Sequence, residues 1–285
     1  MKGRLTPYLL ALPSWLWLGI FLVVPLAAML SVSTTTGNNI DGFVQSFAFS
    51  NYTDAIGRYS AQLGRSFLYG ALATVAMLVI GYPVAYFIAF KGGNRKSMYL
   101  FLLLLPFFVS FVLRTISWGF LLADDGILFG TLKGWGLLPA GFHVLATTFA
   151  VVAGLTYNWL PFMILPIYVA LERVDPRVIE AAQDLYATRV AAFRRVVLPL
   201  SLPGVFAGVL MTFVPATADP VNAQILGGTA NTMIGNVIQT EYLTNLNYPS
   251  ASALSFTLMA VLLVGIFIYA KALGTENVLE AAANR

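Results

Sequence analysis

The segment EAAQDLYATRVAAFRRVVLPLSLPG, residues 180–204, is a polar interruption in a chain that is otherwise strongly apolar. It is preceded by Asp175 and Pro176, a pair typical of a helix start, because Asp accepts hydrogen bonds from free N–H groups and Pro has no N–H to leave unpaired. Within the segment, Thr188 can cap a second helix in the same way. Two short helices are therefore predicted here.

Each of the two predicted helices has an apolar stripe and a polar face, which is basic in the second helix. We expect Pro199 and Pro203 to end the second helix. Residues 172–203 are interpreted as an amphipathic elbow at the membrane surface, although basic segments of this kind can also simply rest on anionic lipid headgroups. The two stripes contain Val178, Ala181, Ala182 and Leu185, and then Val190, Phe193, Val196 and Val197.

The composition indicates an integral membrane chain. Of 285 residues, 59% are hydrophobic and only 10% are charged, whereas a soluble domain has about 45–50% apolar and 25% charged residues. The absence of cysteine excludes disulfides, thiol catalysis and cysteine-based metal sites. The net charge of +4 comes from basic residues scattered through loops, so no nucleic-acid partner is expected.

Six apolar stretches are long enough to cross a bilayer, whose hydrocarbon core of about 30 Å needs roughly 20 helical residues. Only Arg114 and Asp219 are charged within them. We therefore predict an all-α membrane fold with six transmembrane helices, in which residues 1–285 form a single domain. The stretches cover residues 8–32, 67–90, 98–122, 144–171, 204–226 and 251–270.

The positions of lysine and arginine predict the orientation, because basic loops favour the cytoplasm. Three of these basic residues lie on one side of the membrane, namely Arg58, Arg65 and Lys133. The elbow and both termini, on the more basic side, are therefore expected in the cytoplasm. A cleaved signal peptide is the alternative for the N-terminus, but the first apolar run is too long for a signal core. The basic residues on the elbow's side are Lys2, Arg4, Lys91, Arg95, Lys96, Arg173, Arg177, Arg189, Arg194, Arg195, Lys271 and Arg285.

The order of residues in the elbow resembles the EAA loop of the membrane subunits of binding-protein-dependent ABC importers. Tyr186 stands where that family has Gly. If the turn needs a positive φ, a bulky residue there is strained by about 1–2 kcal/mol. The residues that carry the resemblance are Glu180, Ala181, Ala182, Ala187, Phe193, Val196, Leu198, Pro199, Leu200, Pro203 and Gly204.

In that family the EAA helix couples the permease to a cytoplasmic ATPase, whose closure on ATP tilts the membrane helices from inward- to outward-facing. The resemblance implies a second permease subunit, two ATPase subunits that bind ATP and Mg, an extracytoplasmic substrate-binding protein and surrounding lipid in a bacterial inner membrane. The chain lacks the phosphate-binding Gly-x-x-x-x-Gly-Lys-Ser/Thr loop, so we expect a transport subunit without catalytic residues, metal or cofactor of its own. The expected coupling residues are Glu180, Ala181, Ala182, Asp184, Tyr186, Ala187, Phe193, Leu198 and Pro199.

Four further segments resemble the spermidine/putrescine transport permeases, and this resemblance extends from the first span through the sixth. It implies a path for polyamines, with another small solute as the alternative. Two charges within the spans are few for a secondary transporter, and no filter-like run favours a channel. The segments are SFVLRTISW (110–118), TFVPATADPVNAQILGG (212–228), TMIGNVIQTEYL (232–243) and NYPSASALSF (247–256).

The two charges within the spans have two interpretations. Counted along their spans, Arg114 and Asp219 lie at similar depth, roughly 22–24 Å from the inner face. They can therefore form a buried ion pair that fixes helix packing. In the other interpretation, Asp219 lies between Pro215 and Pro220 in an interrupted span and lines the outer part of a substrate path.

Aromatic and acidic side chains are the other candidates for the substrate path. Trp118, Tyr157 and Trp159 suit an organic cation through cation–π contact, although aromatic belts at the membrane interfaces also explain single residues of this kind. Glu241 is in an outward loop, where contact with the substrate or the delivering protein is expected. His143 has no companion ligands and is expected to be a surface residue rather than a metal ligand.

Overall fold

The computed structural model describes residues 6–139 and 141–272; Lys2, Arg4 and Arg285 of the charge count lie outside the described residues. Helices dominate, as the all-α expectation requires. A two-stranded antiparallel hairpin, β1 Thr35–Asn38 with β2 Gly42–Gln45, is an addition that the apolar pattern does not indicate. The helices are α1 Thr6–Leu18, α2 Val24–Ser33, α3 Ser50–Lys91, α4 Lys96–Leu104, α5 Phe111–Leu122, α6 Ile127–Gly134, α7 Thr148–Glu172, α8 Pro176–Asp184, α9 Arg189–Ala192, α10 Leu198–Ala218, α11 Val221–Leu226, α12 Ile234–Leu243 and α13 Tyr248–Ala272.

Five helical stretches are long and apolar enough to cross a membrane, and a sixth span arises if one bent pair is counted as a single crossing. That pair is Gly93–Phe108 and Phe111–Gly134, which meet at 88°. The stretch predicted as one span over 98–122 is therefore broken, because Val109 and Ser110 have extended ψ angles of 139° and 137°. The five stretches are Leu10–Ser33, Ser50–Lys91, Thr148–Glu172, Arg189–Ala218 and Tyr248–Lys271.

The chain divides into two compact units. The first comprises Met1–Ser60 and Val237–Val261, and the second comprises Ala61–Asn236 and Leu262–Arg285. Helix α3 runs from the first unit into the second, and its backbone departs from helical angles at Tyr59 (φ −115°, ψ 19°). The elbow and both charges within the predicted spans belong to the second unit.

Close packing of α10 on α7 forms much of the core of the second unit. A Cβ atom added at Gly204 would lie 2.5 Å from the carbonyl oxygen of Pro166, and one added at Gly208 would lie 3.1 Å from that of Met163. Small residues at such points let two membrane helices approach closely and gain dispersion contacts. The α7 side of this contact is fully buried, with Met163 and Ile167 both 0% exposed.

Candidate functional site

The first helix of the elbow, α8, begins as predicted. Asp175 Oδ1 accepts a hydrogen bond from the backbone N–H of Arg177 at 2.9 Å, and Pro176 occupies the first turn. Glu180 and Asp184 are both exposed. The cap and the proline define the start of α8, and the two carboxylates leave its outer surface acidic.

The apolar stripe predicted for α8 faces outward over much of its length. Val178 is 46% exposed and Leu185 is 81% exposed, and Ala181 is exposed while Ala182 is half-buried. Ile179 is the α8 side chain that packs against the hydrophobic core. Exposed apolar side chains beside carboxylates form a surface suited to contact with another protein.

The turn after α8 is a Schellman motif, a helix ending that usually has Gly at its left-handed position. The N–H of Ala187 donates to the Ala182 carbonyl oxygen at 3.1 Å, and the N–H of Tyr186 donates to that of Gln183 at 2.9 Å. Tyr186 occupies the left-handed position, with φ of 59°. Its side chain is 97% exposed, so burial of the ring does not offset the backbone strain.

The second helix of the elbow does not end at the prolines, and the expectation that it would is wrong. Thr188 caps α9 as predicted, because its Oγ1 accepts a hydrogen bond from the backbone N–H of Ala191 at 3.2 Å. The chain then passes through a π-turn, Phe193–Val197, directly into α10. Pro199 lies in the first turn of α10 and Pro203 within this helix. Proline has no backbone N–H to donate, which costs nothing in the first turn of a helix. The π-turn before Pro199 has i→i+5 hydrogen bonds in place of the usual i→i+4 bonds, and it lets the helix continue into α10.

Phe193 connects the elbow to α3. Its ring lies 5.7 Å from that of Tyr82 and 6.0 Å from that of Tyr86, in edge-to-face geometry. The Tyr82 hydroxyl also shares a 2.8 Å hydrogen bond with the hydroxyl of Ser201 in α10. Phe193 therefore faces the membrane helices, and its contacts attach the elbow to α3.

Four buried side chains form a polar network, namely Thr115, Asn158, Asn222 and Asp219. Asn158 Nδ2 donates to Thr115 Oγ1 at 3.0 Å and to Asn222 Oδ1 at 3.1 Å. Asn222 Nδ2 donates to Asp219 Oδ2 at 3.0 Å. None of the four is more than 4% exposed. Hydrogen bonds among these side chains connect α5, α7 and α11 in an otherwise apolar interior.

Asp219 lies where the fifth predicted span is interrupted, between the end of α10 at Ala218 and the start of α11 at Val221. Its Oδ1 accepts hydrogen bonds from the backbone N–H groups of Val221 and Asn222, both at 2.8 Å. The carboxylate thus satisfies free N–H groups at the start of α11, where a negative charge is also favoured by the helix dipole.

The predicted ion pair between Arg114 and Asp219 is absent from the described residues, whose salt bridges join Lys96 to Glu172 and Lys133 to Asp124. The Asp219 oxygens are occupied by the hydrogen bonds at α11. The Arg114 guanidinium lies over the ring of Phe107, 4.4 Å from its centroid. The bend before α5 brings Arg114 back towards this ring, so the pairing predicted from equal depth is wrong.

The three aromatic candidates for the substrate path lie on α5 and α7. Trp118 and Tyr157 have ring centroids 5.4 Å apart, and Trp159 lies 5.5 Å from Phe162. Trp118, Tyr157 and Trp159 are all half-buried. They belong to the same two helices that supply Thr115 and Asn158 to the polar network.

Glu241 is not exposed to a delivering protein within the described chain. It is 4% exposed, and its Oε1 accepts hydrogen bonds from the hydroxyl of Tyr59 at 2.7 Å and from Asn245 Nδ2 at 2.9 Å. A buried carboxylate requires hydrogen-bond donors, and these two side chains supply them. The bond from Tyr59 connects α12 to α3 within the first unit. His143 is exposed, as expected.

Sequence reasoning about the spans missed Asn158, Asn222 and Thr115. All three are neutral, so a search for charges within the spans passes over them. The available signal was the amide side chain of Asn158 in the long apolar stretch of α7, since an amide in that setting needs partners. Its partners are separated from it by 43 and 64 residues, and no local pattern identifies them.

Comparison with known proteins gives a consistent result. The chain is 37% identical to the spermidine/putrescine transport system permease protein PotB of Haemophilus influenzae over 257 residues, which is 90% of each chain. It is 33% identical to the inner membrane ABC transporter permease protein YdcU of Escherichia coli, covering 75% of this chain and 72% of that protein. No family model matches the chain.

A solved structure has the same fold. It is a bacterial alginate ABC transporter in complex with an alginate pentasaccharide-bound periplasmic protein, with a TM-score of 0.69 at 20% identity, covering 94% of this chain and 93% of that one. The fold is that of a membrane-spanning permease subunit of an ABC importer. Within that class, the chain belongs to the family of the spermidine/putrescine transport permeases.

Proposed function

We propose that this permease forms, together with a second permease subunit, the membrane path of an importer for polyamines. The observation that carries the proposal is the 37% identity over 90% of the chain to a protein named for spermidine and putrescine transport. A periplasmic protein bound to a related transporter supports delivery of the solute by a separate binding protein. Trp118, Tyr157 and Asp219 remain the proposed contacts with the cation along the path.

The energy source in this proposal is a separate cytoplasmic ATPase that binds ATP and Mg and docks on α8. Glu180 and Asp184 supply exposed carboxylates, and the small side chains of Ala181 and Ala182 permit close approach of a partner surface. Exposed Leu185 and Tyr186 extend the same surface. Phe193, Leu198 and Pro199 belong to the segment that continues into α10, through which movement of the docked helix reaches the membrane helices.

The substrate is tested with the complete transporter, purified with its partner subunits and reconstituted into liposomes. Spermidine or putrescine presented by the binding protein is expected to stimulate ATP hydrolysis and to accumulate as labelled solute. An amino acid and a sugar serve as controls. Stimulation by a control solute with no response to either polyamine would replace the polyamine assignment while leaving the ABC importer class intact.

The docking surface is tested by a crosslink, for which the absence of cysteine from the chain is an advantage. A cysteine introduced by Ala182→Cys is expected to crosslink to the ATPase subunit, and one introduced by Asn94→Cys in the exposed turn Gly93–Arg95 is the control. The same crosslink tests the proposed cytoplasmic location of the elbow. Failure of every cysteine between 176 and 187 to crosslink would favour an elbow that rests on lipid.

A further inference from the structure

A pocket of about 490 Å³ lies beside the bend between α4 and α5. Aromatic side chains form much of its lining, and Arg114 and Asn158 contribute polar groups. Both are more than nine-tenths buried, with exposed fractions of 8% and 1%. The aromatic residues among its lining include Phe107, Phe111, Trp159 and Phe162.

Several polar atoms at this pocket have no hydrogen-bond partner among the described residues. They are Nε and Nη1 of Arg114 and Oδ1 of Asn158. A buried polar atom left unsatisfied costs about 1–3 kcal/mol, and more when the group is charged. Unpaired atoms on two buried side chains at one opening, one of them charged, indicate that the pocket is completed by a group from outside the chain.

The positive charge of Arg114 selects an anion. The N–H groups on Nε and Nη1 are donors that a carboxylate oxygen accepts, whereas Asn158 Oδ1 is itself an acceptor and takes no part in binding the anion. The face of Phe107 is already covered by the guanidinium. A polyamine would meet a like charge here, so the transported cation is a poor occupant of this pocket.

The depth of the pocket limits where the anion comes from. Lys96 to Phe108 spans 13 residues, which places the bend roughly 20 Å along the axis from Lys96. In a hydrocarbon core of about 30 Å, this position is distant from lipid phosphates near Lys96 and well below those of the other leaflet. A carboxylate fixed on another membrane helix reaches this depth, whereas free anions do not partition there.

We propose that Arg114 receives the carboxylate of an Asp or Glu side chain from the second permease subunit, forming an ion pair between the two subunits within the membrane. The inference rests on the two-permease assembly of the proposed function. The pair neutralises Arg114. Arg114 is a positioning residue for subunit assembly in this proposal and has no contact with the transported cation.

The test is a double-mutant cycle on the complete transporter. Arg114→Gln is expected to lower the apparent Tm of the complex by roughly 5 °C or more, because loss of one member of a buried pair leaves the other charge uncompensated. Neutralising one acidic residue in the partner's spans should produce the same loss, and the two losses should not add. Exposed Arg173 gives the control Arg173→Gln, which should leave the Tm unchanged.

A second variant keeps the test decisive if Arg114→Gln prevents assembly. Ser110 also lines the pocket, and Ser110→Asp introduces a carboxylate there, which is expected to restore the Tm of a transporter whose partner has lost its acidic residue. Ser110→Asn, which has a similar shape and no charge, should not restore it. Additive losses for every acidic residue of the partner, or rescue by Ser110→Asn equal to that by Ser110→Asp, would overturn the ion pair.

The lipid composition of the membrane tests whether a lipid headgroup, rather than the partner's carboxylate, supplies the negative charge. The wild-type complex and Arg114→Gln are compared in phosphatidylcholine alone and with added phosphatidylglycerol. The proposal expects the same Tm difference in both membranes, and a difference confined to phosphatidylglycerol would assign the pocket to a lipid headgroup. The double-mutant cycle measures stability and not transport. If the transporter carries a solute other than a polyamine, the substrate assignment fails but the cycle still tests the ion pair.

Discussion

The elbow and the polar network are stabilised in opposite ways. In the elbow, the caps and the turn join residues two to five positions apart, as between Asp175 and Arg177 or between Ala182 and Ala187. In the polar network, Asn158 bonds to residues 43 and 64 positions away. The elbow therefore obtains its shape from local sequence and leaves a surface free, whereas the network stabilises three helices and exposes almost nothing.

This difference suits the separate roles that we propose for the two regions. A surface that docks a separate ATPase is most effective when it is formed before the ATPase arrives, and local hydrogen bonds form it without distant contacts. Helices that move together must remain attached to one another, which a buried network achieves because each of its members is costly to separate. Phe193 attaches the elbow to the membrane helices, since it packs against tyrosines of α3.

The largest expected effect comes from breaking the network at its centre. Asn158→Leu removes both hydrogen bonds donated by Nδ2 and leaves Asn222 Oδ1 without that donor, so we expect a loss of about 2 kcal/mol in stability. The measurement is the unfolding midpoint of the purified permease in detergent. Asn94→Leu, in an exposed turn, should change it little. Equal midpoints for the two variants would contradict the importance of the network.

The elbow was largely predictable and the network was not, for the same physical reason. The caps at Asp175 and Thr188 depend on neighbouring residues, so their sequence positions were sufficient to place them. Which partners Asn158 contacts depends on how three helices pack, and this packing is determined by features such as the contact of Gly208 with Met163. Equal depth along two spans likewise could not show that Asp219 would bind the N–H groups of α11 instead of Arg114.

An intermediate effect is expected from removing the charge of the network while keeping its shape. Asp219→Asn retains an oxygen for the two backbone N–H groups, but its amide opposes Asn222 Nδ2, so stability should fall by about 1 kcal/mol or less. If Asp219 attracts the polyamine, uptake should fall by about tenfold or more, equivalent to 1.4 kcal/mol, with assembly on the ATPase retained. Labelled spermidine uptake and copurification of the ATPase measure the two quantities.

The control for Asp219 is Asp125→Asn, a neutralised carboxylate that is exposed at the surface. Uptake that is equal in Asp219→Asn and the wild type would leave Asp219 with a structural role only, as an acceptor for the start of α11. Loss of uptake in proportion to loss of assembled complex would have the same meaning. A selective loss of uptake would show that one buried side chain serves both the network and transport.

The smallest expected effect comes from relieving the strained turn of the elbow. Tyr186→Gly should relieve about 1–2 kcal/mol of left-handed strain, offset by about 0.5–1 kcal/mol from the greater freedom of glycine in the unfolded chain. A net gain of between about 0 and 1.5 kcal/mol is expected, read as slower amide hydrogen exchange at residues 185–188. Tyr186→Ala should give no such gain, because alanine retains the strain.

The two Tyr186 variants also separate backbone strain from contact with the ATPase. Both remove a ring that is 97% exposed, so a docking role for the ring predicts equal losses of polyamine-stimulated ATP hydrolysis. If only Tyr186→Gly changes coupling, the strained turn itself is the functional feature, since tension in the Schellman motif then favours release of α8 from its partner. Equal hydrogen exchange in Tyr186→Gly and Tyr186→Ala would show that the φ of 59° stores no measurable strain. The local hydrogen bonds of the elbow would then suffice to fix its shape with either glycine or alanine at this position.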